Sequence, residues 1–149
     1  MVLMDLLIDA VVAGLQTVLA GIATSAELPA ENIREWYSTQ DRDSNLVVVD
    51  VESMTPTKGS LPQIDRCECK VLIGIATHFD LDDSRAVHRE TTKELLGAIN
   101  DGTLEAAISV DGWTLDALTP EQIVAATSEM DEHRRRNIEL TAKLTLDES

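Results

Sequence analysis

The chain has 149 residues, 44% of them apolar and 26% charged, which is enough to bury a core and excludes a wholly disordered polypeptide. With two Trp, one Tyr and one Phe, that core has to be built from Leu, Ile, Val and Ala. A formal net charge of −15 opposes binding to nucleic acid by phosphate neutralisation and favours solubility.

The first stretch reads as a helix from Met4 to Ile22, with Leu7, Val11, Leu15, Val18 and Ile22 at helical spacing. Leu3, Leu6, Ala10, Ala13 and Ala20 widen that stripe, as in a helix packed on a sheet or shared with a neighbouring subunit. Asp5, Asp9 and Gln16 interrupt it and no basic residue precedes it, so it reads neither as a secretory leader nor as a membrane span. The run Ile33 to Ser38 suits a short edge strand, and Thr39 to Asn45 a polar loop. Leu46 to Val51 is a β-branched strand, and Ser53 to Gln63, with Pro56, Gly59 and Pro62, is a long loop or hairpin arm.

Arg66 to Thr77 alternates as a strand. Cys67, Cys69, Val71, Ile73 and Ile75 share one face, while Arg66, Glu68 and Lys70 give way to Leu72, Gly74 and Ala76 on the other. Cysteines at this spacing rarely form a disulfide, and a reducing, intracellular site of synthesis is expected. Asp83 or Ser84 caps a helix that runs to about Asn100, with Val87, Thr91, Leu95, Ala98 and Ile99 inward and Asn100-Asp101-Gly102 as its stop. Leu104 to Ser109 suits a further short helix, and Gly112 to Leu118 a loop carrying Trp113, with Thr119-Pro120 as punctuation. Ile123 to Glu129 reads as a strand and Met130 to Arg136 as a charged turn. The last strand, Asn137 to Leu146, places Ile138, Leu140, Ala142, Leu144 and Leu146 on one face and polar residues on the other.

This order predicts one α+β domain over residues 1–149. It has a mostly antiparallel sheet of about four to five strands, two main helices packed on one face, and a long arm at about 53–65.

The candidate chemistry is sparse. Asp41, Asp43, Asn45 and Glu52 stand at calcium-loop spacing, but Leu46 occupies the position where the loop needs glycine, so a polar loop is the better reading. Asp50, Glu68 and Lys70 resemble the core of the PD-(D/E)xK nucleases, in which carboxylates on adjacent strands hold Mg²⁺ and a lysine orients water. Cross-strand charge pairing accounts for the same residues, and no Pro precedes Asp50. His133, Arg134, Arg135 and Arg136 form a basic cluster able to meet phosphate or an acidic partner, or simply to be solvated. His78 and His88 lack ligand-spaced partners, and Cys67 and Cys69 suit core packing, so no metal site and no cofactor are expected.

As a whole, the layout resembles the tail terminator, or tail-completion, proteins of long-tailed bacteriophages. The likeness lies in the opening helix MDLLIDAVVAGLQTVLAGI, the strand and arm LVVVDVESMTPTKGSLPQIDRCECKVLIGIAT, the helix SRAVHRETTKELLGAI and the closing strand RRRNIELTAKLTL. The resemblance implies a non-enzymatic structural protein of the virion, made in the host cytoplasm. It implies a homo-oligomeric ring, usually a hexamer, on the head-proximal end of the tail tube. Its partners would be the tail tube protein and the head–tail connector, with DNA passing through the lumen and no membrane involved. Another neck or baseplate adaptor with the same layout is the alternative within that class. In such a ring, Met54, Lys58, Leu61 and Ile64 of the arm and Arg134, Arg135 and Arg136 are the candidate subunit or tube contacts.

Overall fold

The computed structural model describes residues 3–19, 32–35, 46–56, 66–78, 84–128 and 133–147, without the side chains of 77–78, 84–88, 124–128 and 133–136. In chain order the elements are α1 (Leu3–Val18), β1 (Ile33–Glu35), β2 (Leu46–Pro56), β3 (Arg66–His78), α2 (Ser84–Asn100), α3 (Thr103–Ala107), β4 (Trp113–Ser128) and β5 (His133–Leu146). The strands form one sheet in the order β1-β2-β3-β5-β4, in which only the β1–β2 pair is parallel. The helices pack on this sheet, so the α+β class and the mostly antiparallel sheet are as expected.

The two inner strands carry the core. Cys67, Cys69, Val71, Ile73 and Ile75 of β3 lie on one face with Ile138, Leu140, Ala142 and Leu144 of β5, all 1% exposed or less. Val47, Val49 and Val51 of β2 and Ile33 of β1 continue that face. Full burial of each large aliphatic side chain contributes roughly 1.5–3 kcal/mol. α1 lies over β1 and β2, and α2 over β3. Their buried stripes are Leu3, Leu7, Ile8, Ala10, Val11 and Leu15 on α1, and Thr91, Leu95, Ala98 and Ile99 on α2. The second half of β3 is buried on both sides as expected, since Ala76 joins Leu46 and Val48 in a small cluster on the sheet's other face.

Local signals set the ends of the helices. Gly102, at φ 81°, occupies the left-handed region that favours glycine, between α2 and α3. The Thr103 hydroxyl, and then the Thr103 N–H that donates to it at 2.9 Å, hold the Asp101 carboxyl beside it below the usual range. α3 is tied to the sheet by the Glu105 carboxylate, which accepts a 2.7 Å bond from the Leu118 N–H.

Three expectations are corrected. The segment from Gly112 to Leu118 is not a loop, because β4 starts at Trp113 and continues through Pro120 to Ser128. An edge strand has one side without a ladder, where proline's missing N–H costs nothing, and bulges at Asp116 and Glu121 absorb the irregularity. The basic run is not in a turn either. β5 begins at His133, and Arg134, Arg135 and Arg136 pair with Thr77, Ala76 and Ile75 on one side and Thr127, Ala126 and Ala125 on the other. Backbone pairing on both sides outweighs the local preference of a charged run for a turn. Finally, Leu146 is 39% exposed, so the alternation of β5 buries four of its five inward positions. Residues 20–31, 36–45, 57–65, 79–83 and 129–132 lie outside the described residues, and with them the polar loop, most of the arm and the turn before α2.

Two helix glycines give opposite expectations. A Cβ on Gly14 would meet Ile108 Cγ1 at 3.0 Å and the Ala107 carbonyl oxygen at 3.3 Å, whereas one on the exposed Gly97 meets nothing within 4 Å. Gly97→Ala should therefore raise stability by about 0.5–1 kcal/mol through helix propensity. Gly14→Val should lower it by about 1–3 kcal/mol through overpacking. Urea unfolding of the two variants against the parent checks both signs.

Candidate functional site

The face of the sheet opposite the helices carries the charged side chains that the alternation turns outward. Lys70, on the central strand β3, lies 3.6 Å from Glu52 Oε2 and 3.4 Å from Glu139 Oε1. Glu52 follows Asp50 on this face by alternation, and the bulge between Val51 and Ser53 changes the parity after it, so that Met54 turns to the core. Hydrogen bonding and charge from Glu139, then the charge of Glu52, hold the Lys70 ammonium above its ordinary range. Gln122 donates to Glu139 Oε2, and Lys143 sits 3.9 Å from Glu68.

The bulges of β4 aim two more carboxylates over β5. Thr141 donates to Glu121 Oε1 at 2.8 Å, and Thr145 donates to Asp116 Oδ2. Lys70, Glu121, Gln122, Glu139 and Thr141 line a shallow, open basin. A second open hollow lies on the helix side, lined by Val18, Lys93, Glu94, Gly97, Ala98, Asp101 and Thr103.

The proposed nuclease trio is not brought together. Asp50 is registered opposite Leu72, and its Oδ1 accepts a 2.9 Å bond from the Val51 N–H. Glu68 is registered opposite Thr55, four positions away along β3, or about 13 Å at the strand rise. Lys70 is held between Glu52 and Glu139, and Glu68 faces Lys143. Among the described residues, no group of three His, Cys, Asp or Glu side chains could hold a metal ion. The calcium-spaced Asp41, Asp43 and Asn45 and the arm residues Lys58, Leu61 and Ile64 lie outside the described residues, as do the side chains of His78, His88 and Arg134 to Arg136. Met54 is half-buried against the core, paired with Cys69, so part of its apolar surface is already used in the fold.

Sequence reading passed over Arg34. The register places Arg34, Val48, Gly74 and Asn137 in one cross-strand row on this same face. The Arg34 Nε and Nη2 atoms and the Asn137 Oδ1 atom are shielded from water without a hydrogen-bond partner. The one available signal was a lone arginine in a short strand beginning with a buried isoleucine.

Cys67 and Cys69 are free thiols of the core. Burial, reinforced by Cys67, pushes the Cys69 thiol up to about 12, and burial also raises Cys67. No protein-family model matches the chain, and no curated protein matches it.

The thiols predict an alkaline weakness. In the folded chain Cys69 keeps its proton to about 12, whereas its ordinary value is 9.0. The stabilisation is therefore complete below about pH 9 and is lost as pH rises from there towards 12, at up to about 1.4 kcal/mol per pH unit for each such thiol. Urea unfolding across that range should show the loss, and Cys69→Ala should remove most of it. Native protein should also resist alkylation, with both thiols reacting only on unfolding.

Proposed function

We propose that this chain is a structural protein of a bacteriophage tail, a terminator that assembles as a ring on the head-proximal end of the tail tube, stops its growth and meets the head connector. The observation that carries the reading is the order of elements on one α+β sheet. An apolar opening helix is followed by the β2–β3 hairpin, a helix across the sheet, and a closing strand inserted between β3 and β4. This is the layout on which the resemblance rests.

The electrostatics are compatible. Among the open-face residues whose side chains are described, Asp50, Glu52, Glu68, Asp116, Glu121 and Glu139 outnumber Arg34, Arg66, Lys70 and Lys143, and the whole chain carries −15. A surface of that sign repels a phosphate backbone, and DNA passing near it would slide without sticking. Among the described residues that face offers ion pairs and hydrogen bonds but no group of three carboxylates able to hold a metal ion, which suits a wall better than a metal-dependent centre.

The reading is tested by removing the gene from the phage that carries it. Tubes of irregular, excessive length and heads without tails are expected in electron micrographs, with normal particles restored when the protein is supplied in trans. Particles of normal tail length without the protein would overturn the role. Purified protein labelled with gold should mark only the head-proximal end of isolated tails, and labelling along the tube or at its distal tip would point instead to another adaptor.

A further inference from the structure

Two steps of the chain place an aspartate directly before a glycine, Asp101-Gly102 and Asp111-Gly112. Such a step can rearrange without an enzyme. The backbone nitrogen of the glycine attacks the protonated side-chain carboxyl, water leaves, and a five-membered succinimide closes. Water then reopens the ring at one of its two carbonyls. Opening at Cγ restores aspartate. Opening at the main-chain carbonyl leaves isoaspartate, in which the chain runs on through Cβ and Cγ. Water is the only co-reactant, lost in one step and regained in the next, so the mass is unchanged. Glycine favours the attack because it has no Cβ to crowd the nitrogen. Both glycines here lie at φ 81°, and a Cβ on either would meet nothing within 4 Å, so crowding does not separate the two steps.

Their carboxyls do. The Asp101 side chain is engaged by Thr103, through its hydroxyl and through its N–H at 2.9 Å. Bonds of this kind favour the charged carboxylate, which is the unreactive form, and they must break before the ring can close. The backbone around this step is clamped as well. The Asp101 N–H donates to the Gly97 carbonyl and the Ala106 N–H to the Gly102 carbonyl, both at 3.0 Å. Asp111 is exposed in the tight turn from Val110 to Trp113 that opens β4. Among the described residues no hydrogen bond or ion pair holds its carboxyl.

We propose that Asp111 is a site of spontaneous isoaspartate formation in the folded protein, and that the fold protects Asp101, the same dipeptide, from the same reaction. The product inserts one extra main-chain carbon into a turn spanned by the 3.1 Å bond from the Trp113 N–H to the Val110 carbonyl. The Gly112 carbonyl accepts from the Asp147 N–H at 3.0 Å, so the change loosens the start of β4 and the chain just beyond β5 together. The inference stands on the turn and does not need the tail role.

Ageing the full chain tests it. The protein is held for weeks at body temperature in mildly acidic buffer, with circular dichroism confirming that it stays folded. Cleavage after Glu94, Glu105 and Glu121 then puts the two steps on separate peptides. Chromatography resolves the isoaspartyl form of each at unchanged mass, and methyl transfer from labelled S-adenosylmethionine by an isoaspartyl methyltransferase counts it. The Asp111 peptide should carry several times more isoaspartate than the Asp101 peptide. In urea, where Thr103 no longer holds Asp101, that gap should close. Thr103→Val should raise the level at Asp101 in the folded chain, and Asp111→Glu, which would need a six-membered ring, should abolish the signal at its own step. An Asp111 peptide that stays unmodified, or equal or greater isoaspartate at Asp101 in the folded chain, overturns the assignment. A gap that persists in urea also overturns it, since neighbouring sequence rather than the fold would then set the difference.

Discussion

The rest of the structure hangs on the pairing of β3 with β5. Thirteen registered positions run from Arg66 opposite Thr145 to His78 opposite His133, and along that ladder Cys67, Cys69, Val71, Ile73, Ile75, Ile138, Leu140, Ala142 and Leu144 are excluded from water. Because the side-chain period of a strand is two, a slip of one residue would send Cys69, Val71, Ile73, Leu140 and Ala142 to the open face and Glu68, Lys70, Glu139 and Lys143 into the core. The cost of burying those charges makes the register nearly obligatory. β2 and β1 extend the pair on one side, β4 extends it on the other, and the helices find one continuous apolar floor.

The same alternation makes the open face what it is. Once the ladder is set, Glu52, Lys70 and Glu139 must converge, as must Glu68 and Lys143. Exposed pairs of this kind contribute little to stability individually. Their role is to settle the sign and texture of a surface. The bulges of β4 add Asp116 and Glu121 to it, hydrogen-bonded to Thr145 and Thr141. A wall of engaged, mainly acidic side chains repels a polyanion.

The edges of the sheet are where the fold is least finished. At β4, protective features stop at Glu121 and an uncharged run follows. At β1, a short strand carries Arg34, whose Nε and Nη2 are shielded from water without an acceptor.

By itself the sequence determined the helices, the inward faces of β3 and β5 and the aliphatic character of the core, since each follows from a local period and from composition. Gly102 as a stop and Thr91, Leu95, Ala98 and Ile99 as a buried stripe belong to the same class. Tertiary structure alone decided three things. Pro120 lies inside a strand because β4 is an edge strand, and edge position is a property of the whole sheet. The arginine run extends β5 because β3 and β4 supply partners on both sides, against its local preference. Asp50 and Glu68 look adjacent as a motif but stand four positions apart along β3, and only the register between strands, shifted by the bulge at Glu52, sets that distance. Arg34 escaped notice for the same reason: whether a lone arginine finds an acceptor depends on which strands and faces come to surround it.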